Sequence, residues 1–467
     1  MKNKRRSPST RKVRRLVRGG KRGAGHEFQA AGRRIRRPDP CSIAVTTGEK
    51  TLTAVAGLVE FGAFVRAIGL REQLRVTFAH MKSGPRVVYP MHEQLQLLMD
   101  VHVAGEGRVF GLESLAHDPL FVELAGGTVP SVDTLYDDLG RFGEPEIIAL
   151  EALMAEQGLT QLRNLRPKCI HIDIDTTVTV LFGTQEGALP GPNPRYHGRP
   201  SYHPMIARVS ELDAIVGAQL RYGDTGFGND DVPRVVSWVD RVREAVGPDC
   251  LIHVRIDGAG DCTALLAQLE RRGVHYFTKA DMTADLMGAI AMHEKWRTID
   301  VDADGRPTRQ VATVNFRRGV WANEKLPVRV VVVRSTEREN GKQIALWADL
   351  DWTVQCFLTN DWTAPEEDVA GTYDERAGIE PVIGELKSAW SIGKAKGAQF
   401  DANHAAFLIK LLAYNVFRRF VAEKYEAVSQ WRTPWARRTL VLRPGRITRS
   451  GRRTTLHTMP LVIPMLN

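Results

Sequence analysis

The chain has 467 residues, 43% of them apolar and 25% charged, a composition that supports a sizeable core in two or three domains and excludes a wholly disordered protein. Its net charge of +10 is concentrated at the start, where Met1 to Arg37 hold fifteen Lys and Arg against Glu27 alone, so that the remainder is slightly acidic. This excludes a uniformly basic fold and predicts a basic arm over residues 1–40, suited to polyanions and above all to nucleic acid.

No apolar core follows the arm, which argues against a secretory signal, and the longest apolar run, near Phe407 to Phe417, is interrupted by Lys410. A cytoplasmic protein without membrane spans is expected. The five cysteines, Cys41, Cys169, Cys250, Cys262 and Cys356, show no paired spacing, so reduced thiols are expected and no His/Cys metal cluster.

Residues 41–165 read as a helical block suited to DNA binding. Both LVEFGAFVRAIGLREQL and MHEQLQLLMDVHVAG space apolar residues for helices, and Ser131 after Pro130 is placed to cap a helix running to Phe142. After Pro167 the period changes to two: in CIHIDIDTTVTVLFG, Ile170, Ile172 and Ile174 share one face, and His171, Asp173, Asp175 and Thr177 the other. The strands MIARV and AIVGAQLRYG follow, then a helix from Val232 to Val246, the strand LIHVRI ending at Asp257, a helix TALLAQLERRG and a strand VHYFTKA. That order predicts an α/β fold with a mixed sheet over residues 166–295. Residues 296–360 read as strands without helices, an antiparallel insertion containing RQVATVNFR, PVRVVVVRS, KQIALWADL and VQCFLTN. Helices return over 361–425, including the amphipathic HAAFLIKLLAYNVFRRF, and a basic segment over 426–467 suggests a terminal hairpin.

YDERAGIEPVIGELK, residues 373–387, carries the densest chemistry. On one unbroken helix Tyr373, Arg376, Glu380 and Lys387 would project within roughly 60° of each other. Pro381 leaves two forms open: a kinked helix, or a new helix beginning near Pro381, in which case the shared face weakens for Tyr373 and Arg376. Asp175, Asp257 and Glu380, if they converge, need a counter-charge, and oxygen-only ligands favour Mg²⁺ or Mn²⁺. Asp173 competes with Asp175 for the first position. Asp261 competes with Asp257 for the second, although a helix-start role suits it better.

These motifs resemble the DDE-type insertion-sequence transposases of the IS-four-like superfamily, close to the IS-thirteen-eighty group. Asp175-Thr176-Thr177 is similar to their first catalytic Asp with its hydroxyl residues, Asn193 to Pro204 to their Gly/Arg/Pro-rich segment, and Asp257 in RIDGAGD to their second Asp. Tyr373, Arg376, Glu380 and Lys387 match the spacing of their Tyr-Arg-Glu-Lys signature. The resemblance implies a ribonuclease H-like, retroviral integrase-like fold interrupted by a β-rich insertion. It further implies two Mg²⁺ or Mn²⁺ ions on Asp175, Asp257 and Glu380, with Tyr373, Arg376 and Lys387 on DNA phosphates. The activity implied is cleavage at terminal inverted repeats and 3′-OH strand transfer into target DNA by a homodimer. The alternatives are a nuclease on the same fold and a catalytically inactive DNA-binding relative. Trp321, Trp347 and Trp352 of the insertion are candidates for base stacking.

Overall fold

Strict alternation in CIHIDIDT makes it the central strand, β1 (Cys169–Thr176), of a computed structural model that describes residues 48–193, 197–336, 352–394, 397–451, 453–461 and 463. The basic arm, the expected strand KQIALWADL and Trp347 lie outside the described residues. Thr51–Asn467 forms one compact unit.

β1 is followed by β2 (Met205–Val209) and β3 (Ala214–Gln219), then helix α6 (Val232–Val246), β4 (Leu251–Ile256), α7 (Thr263–Arg271) and β5 (His275–Lys279). The five longest of the preceding helices, α1 (Leu58–Ala67), α2 (Leu70–Phe78), α3 (Met91–Val103), α4 (Val132–Leu139) and α5 (Glu144–Leu165), occupy the expected helical block. Ser131 caps α4 as expected, its hydroxyl accepting from the Thr134 amide. β1 pairs antiparallel with β2 and parallel with β4, and β4 pairs parallel with β5. Only these parallel steps need a crossover, which α6 and α7 supply. Ile170, Ile172 and Ile174 are buried against Val235 and Val239 of α6 and Leu265 and Leu266 of α7.

β6 (Arg297–Val301), β7 (Pro307–Val314), β8 (Arg329–Ser335) and β9 (Thr353–Thr359) continue the same sheet through antiparallel pairs, giving the order β6-β7-β8-β9-β5-β4-β1-β2-β3. The expectation of strands alone is corrected at Gly319–Asn323, which forms a short helix, α8. Trp321 explains it, because its indole is fully buried in the core beside Phe316 and Leu326 and anchors the turn there.

The last helices are α9 (Glu366–Asp374), α10 (Ile379–Ala389), α11 (Phe400–Lys424) and α12 (Thr433–Leu440). α11 was expected to be amphipathic, yet it is buried on nearly every side, polar residues included. It joins α1 to α5 and the Ile206 and Ile215 side of β2 and β3 in one apolar core. Its polar positions serve as ties: the Asn415 amide donates to the carbonyls of Met154 on α5 and Ile215 on β3, and accepts from the Ile215 amide. Gly158 keeps α5 close there, since a Cβ would stand 3.2 Å from the Ile215 carbonyl oxygen. The terminal hairpin is present as β10 (Gly445–Ser450) and β11 (Arg453–Thr458), with Leu52–Thr53 pairing as a third strand against β10.

Candidate active site

The parallel register of β1 and β4 pairs His171 with His253, Asp173 with Arg255 and Ile174 with Ile256. Extending it one residue sets Asp175 beside Asp257 at the carboxyl ends of adjacent strands, about 4.8 Å apart in backbone. Asp175 is raised to about 6, chiefly by burial; Arg376 opposes the shift, while the charges of Asp257 and Glu380 add to it. Asp257 and Glu380 therefore both lie within electrostatic reach of Asp175. The Asp175 carboxylate accepts from the Thr176 amide, and Asp257 accepts from the Ala259 amide, capping the tight turn that follows β4.

The helical segment is divided. α9 ends at Asp374, a 3-10 turn spans Glu375–Gly378, and α10 starts at Ile379 with Pro381 third in its first turn, where a missing N–H costs little. Of the two forms open in the sequence, the new helix is the one adopted, and the four signature side chains do not share a face. Tyr373 is buried on α9 against Phe357, with ring centroids 5.1 Å apart. Glu380 is exposed on α10. Lys387 donates from Nζ to the Val178 carbonyl at 3.0 Å, joining α10 to the loop after β1. Arg376, on the turn, still reaches the site: its Nη1 is 3.5 Å from Asp175 Oδ2. Its buried Nε and Nη1 find no hydrogen-bond acceptor among the described residues.

The two competing acids are engaged elsewhere. Asp173 is fully buried, takes Arg255 Nε at 2.6 Å and Arg208 Nη1 at 2.9 Å, and accepts from the Ser210 hydroxyl. Arg255 also donates to the Thr372 carbonyl and to Glu375, so this buried pair holds the turn that carries Arg376. Asp261 grips Arg318 through two 2.7 Å bonds and accepts from the Asp281 amide. The helix-start role expected of it is corrected, because Cys262 is the residue preceding α7. Of the tryptophans, Trp321 is core, and Trp352 lies half-buried with Arg334 held over its ring at 4.7 Å and over that of Trp296 at 3.9 Å.

A family model described as "Transposase DDE domain group 1" matches residues 38–465. The chain belongs to this DDE transposase family. No curated protein sequence matches it. Among solved structures, the cryo-EM structure of a piggyBac transposase synaptic complex with hairpin DNA is similar at 12% identity and a TM-score of 0.43, over 82% of this chain and 79% of that chain. No helix among the described residues of the transposase is long and apolar enough to cross a membrane.

Two residues near the acids escaped sequence reasoning. Lys279 extends the same rung on β5, because Arg255 pairs with Phe277 two residues earlier, and its Nζ is 5.5 Å from the Tyr373 ring centre. His203, inside the Gly/Pro-rich connector, is held low by burial although its Nδ1 contacts the Thr225 carbonyl and the Asp257 charge opposes the shift. Alternation in VHYFTKA gave the signal for Lys279; nothing local marked His203. The expectation of no His/Cys cluster is also corrected: Cys169, His171 and His253 meet across β1 and β4.

Proposed function

We propose that the transposase cuts DNA at the ends of a mobile element and joins the freed 3′ hydroxyl to target DNA, with Asp175, Asp257 and Glu380 as its catalytic acids. The observation that carries this is the shared rung of Asp175 and Asp257 at the carboxyl ends of two parallel strands, with Glu380 in electrostatic reach. The order β3-β2-β1-β4-β5, antiparallel then parallel, supports the ribonuclease H-like assignment, with β6 to β9 as the inserted segment.

The donor set fits divalent magnesium or manganese: three carboxylates supply hard oxygen ligands, and one guanidinium is too little counter-charge for them. Bound there, two such ions would lower the pKa of water or a hydroxyl and stabilise the leaving oxygen. Asp175 and Asp257 would hold these ions at the strand ends, and Glu380 would complete the ligand set from α10. Arg376, with buried donors aimed beside Asp175, grips a non-bridging phosphate oxygen. Lys387 steadies the loop after β1 and adds positive charge along the DNA path, while Tyr373 backs Arg376 from the core. The helical block and the basic arm bind the terminal repeats, and two copies hold the two ends together.

The test incubates purified protein with duplexes carrying the terminal inverted repeats and Mg²⁺ or Mn²⁺. Nicked ends and joined target product are expected. Retention of cleavage by both Asp175→Ala and Glu380→Ala would overturn the assignment, and cleavage that never yields joined product would reduce it to a nuclease.

A further inference from the structure

At the amino end of the same two strands lies a second constellation, of different chemistry. Cys169 and His171 alternate onto one face of β1, and register brings His253 of β4 alongside. Cys169 Sγ is 4.0 Å from His253 Nδ1, and that nitrogen is 3.3 Å from His171 Nε2. One ligand atom from each residue falls within 4.8 Å of the other two. Tetrahedral zinc places two nitrogens about 3.4 Å apart, and a sulfur and a nitrogen about 3.6 Å apart. The imidazoles are already at that spacing, and the thiol needs only a small rotation.

Proton placement points the same way. Glu211 accepts from the backbone amide of His171 at 3.1 Å and contacts its Nδ1 at 2.8 Å. A carboxylate facing Nδ1 fixes the proton there, so neutral His171 turns the lone pair of Nε2 towards His253 and Cys169. Carboxylate, imidazole and convergent lone pair form the arrangement that stands behind metal-bound histidines. His275 of β5 closes the flank, its ring stacked on His253 at 5.3 Å and 20°. A mixed thiolate and imidazole set selects zinc-like ions over magnesium or manganese.

We propose that Cys169, His171 and His253 form a transition-metal site, best fitted by Zn²⁺, with Glu211 as the carboxylate behind His171 and a fourth position left to solvent or another donor. Four residue steps of strand take His171 to Asp175, about 13 Å, so this ion takes no part in phosphoryl transfer. It ties β1 to β4 at one end and thereby holds the register that sets Asp175 beside Asp257 at the other.

The experiment uses the full chain after chelator treatment, titrated with Co²⁺ and then Zn²⁺. One equivalent of Co²⁺ is expected to give thiolate-to-cobalt charge-transfer absorption with intense tetrahedral d–d bands, both displaced by one equivalent of Zn²⁺. Cys169→Ser should abolish the charge-transfer band and weaken binding at least tenfold. Glu211→Gln should weaken it ten- to a hundredfold, and Asp257→Asn should change neither measurement. Absence of a thiolate band in the parent protein, or its persistence in Cys169→Ser, overturns the site. His253→Gln is expected to weaken Co²⁺ binding at least tenfold, and should it fail to fold, the parent and Cys169→Ser spectra decide without it.

Discussion

Asp173 and Asp175 stand two residues apart on one face of β1, yet their surroundings differ almost completely. The first has no exposed surface, two guanidinium partners and a hydroxyl donor. The second has one backbone donor and a single guanidinium 3.5 Å away, with burial first and the neighbouring acids after it raising it to about 6. A carboxylate saturated by its own protein is committed to holding the fold. One left under-compensated at a strand end has bonding capacity for something the chain does not supply. Arg255 and Arg376 repeat the contrast, one fully engaged and the other carrying buried donors without acceptors among the described residues.

The sharpest break of this comparison is Asp173→Ala. It strands Arg255 without its buried counter-charge and is expected to cost about 3–5 kcal/mol, read by urea denaturation, with activity lost through unfolding. Asp175→Asn should do the converse, keeping the fold while slowing strand cleavage a hundredfold or more, roughly 3 kcal/mol in barrier, measured on pre-nicked and intact terminal repeats. A smaller effect separates the two by pH in metal-free buffer. Because Asp175 rises from 3.8 to about 6, the folded state keeps a proton that the unfolded state has released, so its contribution to stability is lost as pH rises through that window. Asp175→Asn should match the parent near pH 4 and exceed it above pH 6 by roughly 1–3 kcal/mol. Equal denaturation midpoints at both pH values would remove the claim that Asp175 is under-compensated. Least of all, Pro381→Ala should shift stability by under about 1 kcal/mol and cleavage only a few-fold. A large loss would mean that Pro381 sets the angle of Glu380.

Period-two alternation made β1 and its two faces legible, and apolar runs of strand length made β4 and β5 so, because those signals are local. The split of α9 from α10 was half legible: Pro381 announced a break, but whether the chain kinks or restarts depends on Tyr373 packing against Phe357, which is not local information. The hydroxyl residues after Asp175 favoured it over Asp173, but the ion pairs that occupy Asp173 were not legible, since its partners come from β2 and β4, 35 and 82 positions away. The Cys169, His171 and His253 cluster was missed for the same reason, although alternating Cys and His at the head of a strand was a signal in plain view. α11 seemed amphipathic because its polar residues suggested solvent; in the fold they satisfy buried backbone groups.

The burial of α11 also has a consequence in time. It fills the centre of the core shared by α1 to α5, yet ribosomes reach its end, Lys424, long after the end of α5 at Leu165. At about 5–20 residues per second the interval is roughly 13–50 s. During it the early helices have an apolar face and no partner. The strands that carry Asp175 and Asp257 emerge in the same interval, so a half-made chain has these acids but no completed scaffold to hold them. A chain ending before Phe400 is therefore expected to be digested by protease far faster than the full protein, and comparable resistance would show that the early helices find another way to close.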